Sequence, residues 1–311
     1  MKRRTSLLSL FLAGILLPTT LVRLQAQQSS TEQPAKLEVE KVVLDFQIMK
    51  KGEFVRGLKK QDLSVYEDDA KQEITQFSEG DPPLSIVLLL DLSNSMRKSV
   101  RYVRESAQQI AQGFNPDDEV ALMTFAIDVV LAQPFTRNKQ QIANGLGQVP
   151  VPAGYTMLNK ALKEAATYSA KSATPGNRRV IIAFTDDEDT AGSTDSLNQA
   201  SHAIFSSGIV VCGFIVRVPS RVFYPTSEGG VAKLVRQTGG VPLFVDERKL
   251  GEQMAGVVRL LHRHYVIEYV PSNAKHNGKF RRIRLRLSPD VEKREGKLDI
   301  LAREGYYAPT R

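Results

Sequence analysis

Between Leu84 and His262 the chain alternates long apolar runs with segments of helical period. No other feature constrains the fold as tightly. The runs Ser85 to Leu90, Val180 to Phe184 and Ile209 to Val216 show no polar alternation. A strand that is apolar on both faces must be covered on both, as in sheets whose strands are joined by crossover helices. Helical periodicity fills the gaps. Ser95 to Phe114 places Val100, Val103, Ala107, Ile110 and Ala111 on one face, and further helices are expected over Asn138 to Leu146, Leu158 to Tyr168, Ser196 to Ser206, Gly230 to Gln237 and Leu250 to Leu261. Val120 to Phe125 and Val129 to Phe135, joined through Ala126-Ile127-Asp128, read as a hairpin, and Pro242 to Val245 as a last short strand. The expectation for residues 84–262 is an α/β domain with a doubly wound, mostly parallel sheet and one antiparallel edge strand. In such sheets ligands gather at the carboxyl ends of the strands.

The flanks read differently. Gln27 to Ala35 is polar. Within residues 27–83, Val42 to Ile48, Leu63 to Tyr66 and Ile74 to Phe77 are short strand patterns, with a turn at Lys50-Lys51-Gly52 and a boundary at Asp81-Pro82-Pro83. Within residues 263–311, Tyr265 to Val270 is a strand, and Arg282, Arg284 and Arg286 alternate with Ile283, Leu285 and Leu287. That alternation describes a half-buried strand with a solvated basic face. No aromatic residue interleaves on that face along the strand, so nucleic acid is not an expected partner. The two β segments are expected to form one small module flanking the α/β domain.

Residues 1–26 read as a signal peptide: Lys2-Arg3-Arg4, an apolar run from Leu7 to Leu17, and Leu24-Gln25-Ala26 as a cleavage site. The run is shorter than the roughly 20 residues that span a bilayer, and Pro18 follows it. The expectation is an exported, periplasmic or extracellular protein that meets a membrane only during export. The formal charge of +8 falls once the leader's four bases are set aside, leaving 38 basic against 34 acidic residues, too mild an excess to suggest a polyanionic partner. Cys212 is the single cysteine, so no internal disulfide can form, and its apolar surroundings predict a buried, inert thiol.

The chemistry concentrates where the first apolar strand of the α/β segment ends. Asp91, Ser93 and Ser95 follow Leu90 on a short loop before a helix, which brings a carboxylate and two hydroxyls to the ligand-binding edge. A hard cation such as Mg²⁺ takes about six oxygen ligands, so other loops at the same edge must add to these. Thr156, before the helix at Leu158, and Asp186, after the strand ending at Phe184, are the candidates. Singly, Ser93 or Thr156 is also explained as a helix cap.

Asp-x-Ser-x-Ser, Gly-x-Thr and Thr-Asp in this order and context resemble the metal-ion-dependent adhesion site of von Willebrand factor A domains. The resemblance covers roughly residues 84–262. Gly57-Leu58, the stretch Asp62 to Asp68 and the terminal Gly305-Tyr306-Tyr307 resemble a bacterial subgroup of secreted relatives, known especially from acidobacteria. The resemblance implies a site of Asp91, Ser93, Ser95, Thr156 and Asp186. Ser93, Ser95 and Thr156 would touch the metal, Asp91 and Asp186 would act directly or through water, and a sixth position would stay open for water or for an acidic side chain of a protein partner. Mg²⁺ is the implied ion, with Ca²⁺ or Mn²⁺ as alternatives. One departure is Thr185-Asp186-Asp187-Glu188-Asp189, where many such domains have Gly after Thr-Asp. The reading here is that Asp187 and Glu188 form a solvated acidic loop, with Asp187 or Asp189 as a group behind the ligands.

Catalytic patterns are missing from the sequence. Gly-x-Ser-x-Gly with a positioned His does not occur, His202, His262, His264 and His276 lack zinc or triad spacing, no glycine-rich phosphate loop is present, and Ser93 stands where a dehalogenase-like phosphotransferase needs a second acid. The expected function is non-enzymatic, metal-dependent protein binding outside the cytoplasm. The alternatives are a metal-independent structural or assembly module of an envelope complex, and an enzyme of unrecognised type.

Overall fold

A computed structural model describes residues 41–190, 194–216 and 230–310. The expected signal peptide and the polar stretch after it lie outside the described residues. Five strands come first: β1 (Val42–Lys50), β2 (Glu53–Phe54), β3 (Leu63–Glu67), β4 (Ala70–Gln72) and β5 (Ile74–Gly80). β1 and β2 form a hairpin on the two-residue turn Lys51-Gly52, whose φ values of 51° and 85° are those such tight turns need.

The α/β segment then runs β6 (Leu84–Asp91), α1 (Arg97–Glu105), α2 (Ala107–Gln112), β7 (Glu119–Phe125), β8 (Val129–Thr136), α3 (Lys139–Gly147), α4 (Leu158–Ser172), β9 (Arg178–Thr185), α5 (Thr194–Ser206), β10 (Val210–Ile215), α6 (Gly230–Gln237), β11 (Pro242–Phe244) and α7 (Leu250–His262). The strand order is β11-β10-β9-β6-β7-β8. The sheet is mixed: β11 to β7 pair in parallel, and β8 pairs antiparallel with β7. The single helix expected over Ser95 to Phe114 is three pieces. A 3-10 turn, Asn94–Met96, precedes α1, and α1 gives way to α2 at Ser106, whose N–H is shared between the Tyr102 and Arg104 carbonyls.

Strand alternation divides the core. Leu84, Ile86, Leu88 and Leu90 of β6 pack with Val180, Ile182 and Phe184 of β9 beneath α1, α2, α3 and α7. Val87 and Leu89, with Ile181 and Ala183, face α4, α5 and α6. Each such aliphatic side chain contributes roughly 1.5–3 kcal/mol of transfer free energy when buried. Cys212 lies in the first of these layers, fully buried, its thiol pushed up to about 11 by burial.

The chain ends with β12 (His264–Tyr269), β13 (Phe280–Leu287), α8 (Pro289–Glu295), β14 (Asp299–Ala302) and β15 (Gly305–Tyr307). These pair with the N-terminal strands in two sheets, β14-β1-β12-β5 and β15-β13-β3-β4, which share one apolar core. Tyr265 stacks between Phe46 and Phe77 at ring-centre distances of 5.5 and 5.4 Å. Arg282, Arg284 and Arg286 are exposed, and Arg286 lies over the ring of Tyr66, an aromatic supplied by the neighbouring strand β3. His262 and His264 are buried where α7 meets β12. A ring nitrogen of His262 is 3.1 Å from Asp118 Oδ2, and Asp118 Oδ1 accepts the Leu84 N–H that starts β6.

Candidate metal centre

Two adjacent parallel strands of the mixed sheet deliver carboxylates at their ends. Asp91 is the last residue of β6, and Asp186 follows Thr185, the last residue of β9. Both are buried. Asp91 Oδ1 accepts the Ser93 N–H at 2.8 Å, and Oδ2 accepts the Thr185 hydroxyl at 2.7 Å. Burial pushes the Asp91 carboxyl up to about 6. The bonds from Thr185 and Ser93 oppose that rise, and the Asp186 charge adds to it.

Ser93 precedes the 3-10 turn without capping it; its side chain makes no cap bond. Its Oγ lies 3.1 Å from Ser95 Oγ instead. The loop is held to the one before α4 by Ala153 N–H donating to Leu92 O at 2.8 Å and Asn94 N–H to Gly154 O at 3.4 Å. Gly154 has φ +98°, and a Cβ there would sit 3.3 Å from two carbons of Ile127, so a side chain would be strained and crowded. Thr156 is buried and likewise does not cap α4, whose N-cap position is taken by Met157 without a side-chain cap bond. Its N–H donates to Thr190 Oγ1 at 2.9 Å.

Ser93, Ser95 and Thr156 therefore line one cleft of about 360 Å³, with Asn94, Gly154, Tyr155 and Thr190. Asp91 and Asp186 are not among its lining side chains. Among the described residues, no three His, Cys, Asp or Glu side chains group closely enough to hold a metal. Any ligand set here must draw on hydroxyls and two carboxylates, and that all-oxygen chemistry fits a hard cation.

Asp187 is not the solvated residue that the sequence suggests. Asp187 adopts φ +62°, the left-handed conformation that a Gly would take without strain. Its carboxylate accepts the Val231 N–H at 2.7 Å and the Ala232 N–H at 3.1 Å in the first turn of α6. Burial holds this carboxyl above the usual range, opposed by those two bonds. Asp189 Oδ2 accepts the Asn159 N–H at 3.0 Å in the first turn of α4. The loop thus satisfies amides at two helix starts. No local signal in the sequence reveals this, because the helices capped lie 30 and 44 residues further along or back in the chain.

An open α/β sheet with hydroxyls and carboxylates gathered at its carboxyl edge defines a class of ligand-binding domains. Within it, residues 86–188 match the von Willebrand factor type A domain, and the chain carries such a domain. No curated protein matches the chain significantly in sequence. Similar solved structures include an aerotolerance-related membrane protein from Bacteroides fragilis (18% identity over 57% of this chain and 99% of that one, TM-score 0.43). A von Willebrand factor type A protein from Catenulispora acidiphila is 12% identical over 79% of this chain and 76% of that one, with TM-score 0.49. Proximal thread matrix protein 1 from the mussel byssus, in a form with a zinc-occupied MIDAS motif, is 18% identical over 60% of this chain, which spans half of that protein (TM-score 0.49).

Proposed function

We propose that this chain is an exported, non-enzymatic protein that binds a protein partner through a divalent cation held by Ser93, Ser95 and Thr156, with Asp91 and Asp186 behind them. The observation that carries the reading is the convergence of the Ser93, Ser95 and Thr156 side chains on one cleft, with neither the Ser93 nor the Thr156 hydroxyl spent on capping a helix. When bound, Mg²⁺ would supply a Lewis-acidic centre that accepts a partner's carboxylate. Ca²⁺ and Mn²⁺ have the same oxygen preference. The cleft's surroundings suit a protein partner. Tyr155, on the cleft wall, is 71% exposed, and Ile127, packed against Gly154, is 54% exposed. An apolar rim beside a charged centre is the arrangement of many protein-binding sites.

One observation favours the second reading, a metal-independent scaffold. Both oxygens of Asp91 already have hydrogen-bond donors from within the domain, so the loop is satisfied without an ion. Calorimetric titration of the full chain with Mg²⁺ separates the two. Binding is expected for the wild type, with at least a tenfold loss, about 1.4 kcal/mol, in Asp91→Ala and in Asp186→Ala. Pull-down from an envelope extract should lose its partner when a chelator is added. Mg²⁺ affinity and partner capture both unchanged in the two variants would sink the cation reading and leave the scaffold.

A further inference from the structure

We propose that Asp187 is a positioning residue that fastens the cation loop to helix α6, so that cation binding is felt at the edge of the flanking β module. This rests on the cation reading above.

The chain of contacts starts at the candidate ligands. The Thr185 hydroxyl donates to Asp91 Oδ2 and accepts the Asp187 N–H at 3.2 Å. Asp187 follows Asp186 directly, and its left-handed backbone turns its side chain back onto the first turn of α6, where one oxygen takes the Val231 N–H and the other the Ala232 N–H. Two acceptors on two successive amides fix direction as well as distance. A carboxylate at a helix start also meets the positive end of the helix dipole.

Helix α6 has little freedom to absorb a movement of that loop. Val231, Leu234 and Val235 are buried against β10, where a Cβ on Gly213 would lie 3.1 Å from Val231 and 3.3 Å from Val235. At its far end the helix is joined to the β module. Glu304 N–H donates to Gln237 O at 2.7 Å, and Thr238 bridges to Arg303 in antiparallel fashion. A Cβ on Gly239, which has φ +75°, would lie 2.8 Å from the Ala302 backbone at the end of β14. A shift of Asp186 toward a cation pulls Asp187. Asp187 pulls the first turn of α6, and α6 abuts residues 302–304. Such coupling is reciprocal in free energy, so a partner that holds β14 must alter cation affinity by the same factor.

Amide hydrogen exchange of the full chain, with and without MgCl₂, tests this alongside calorimetry with Mg²⁺. In the wild type, Mg²⁺ should slow exchange several-fold over residues 230–238 and again over 300–305. Asp187→Gly keeps the left-handed backbone and deletes both acceptors. It should still fold and bind Mg²⁺, with the slowing confined to residues 185–190. Asp187→Asn, a residue tolerant of the left-handed region, keeps one acceptor and should transmit part of the effect. If Asp187→Gly folds poorly, Asp187→Asn carries the comparison. Wild-type protein that binds Mg²⁺ with no change over 230–238, or a variant that transmits as fully as the wild type, overturns the proposal. Absence of Mg²⁺ binding in the wild type is a different result. It overturns the cation reading itself, and this inference falls with it.

Discussion

The Thr185 hydroxyl gives its one proton to Asp91 Oδ2 and takes the Asp187 N–H, so two neighbouring loops depend on a single oxygen. Removing it while keeping the shape, as in Thr185→Val, leaves a buried carboxylate oxygen and an amide short of a partner. A buried polar group left unsatisfied costs about 1–3 kcal/mol. The urea midpoint of Thr185→Val should fall accordingly, and Thr185→Ser should recover most of it; equal midpoints for all three proteins would refute this role for the hydroxyl. At this scale the sequence is readable for residues whose spacing alone places them. Asp91, Ser93 and Ser95 fall on one loop because an apolar strand ends at Leu90, and Thr156 and Asp186 follow from the same logic. Thr190, which receives the Thr156 N–H, and Asp187 and Asp189, which cap helices distant in sequence, are not readable. Their partners are chosen by tertiary contact, and side-chain type alone says only that such residues can turn or cap.

Glu119 opens β7 and ties together the lower ends of several elements. It accepts the Ser85 hydroxyl of β6 at 2.6 Å, and the N–H and hydroxyl of Thr174, beyond α4, at 2.6 and 2.7 Å. Burial alone would raise its pKa. The bonds from Ser85 and Thr174, with the charge of Arg137, outweigh burial and hold it below the ordinary carboxylate range. A depressed acid contributes stability that is fully present above its unfolded pKa, near 4.3, and is lost as pH falls through the lower folded value. Glu119→Gln should therefore lower stability at pH 7 by about 2 kcal/mol. The gap to the wild type should close as urea unfolding is repeated below pH 4. A gap that stays constant with pH would show that the carboxylate's charge is not what matters. Element existence was legible wherever a run was long and strongly periodic, as in β6, β9, α4 and α7. α8, β14 and β15 are too short for an apolar period to mark them, although β14 and β15 are largely apolar and α8 begins on a Ser288-Pro289 cap. The interruption at Ser106 leaves no mark in the apolar period, since Val103, Ala107 and Ile110 stay on one face across it.

Across the whole molecule, the chain's two flanks are interleaved around the α/β domain, with β1 beside β12 and β14, and β3 beside β13. Pattern alone indicated β segments at both ends; the register that joins them is set by partners more than 200 residues apart and is not local information. The deepest of these joints is polar. Glu67, buried at the end of β3, faces Arg281 of β13 at 3.2 Å and accepts hydroxyls from Tyr269 and Tyr306 at 2.8 and 2.9 Å. Arg281 also donates to the carbonyls of Asn273 and Lys275. Arg281→Met strips the cation from a buried carboxylate, a loss of about 3–5 kcal/mol where one partner of a buried pair is removed. Neutralising Glu67 as well, in Glu67→Gln with Arg281→Met, should recover part of that loss, because the uncompensated charge is gone and the tyrosine hydroxyls keep an acceptor. The two penalties should then fall short of additivity by about 1–3 kcal/mol. Amide exchange in Arg281→Met should rise in β3 as much as in β13, although β3 precedes the α/β domain and β13 follows it, while β6 and β9 remain protected. Additive penalties, or faster exchange in the C-terminal strands alone, would mean that the two flanks are neighbours rather than one interlocked module.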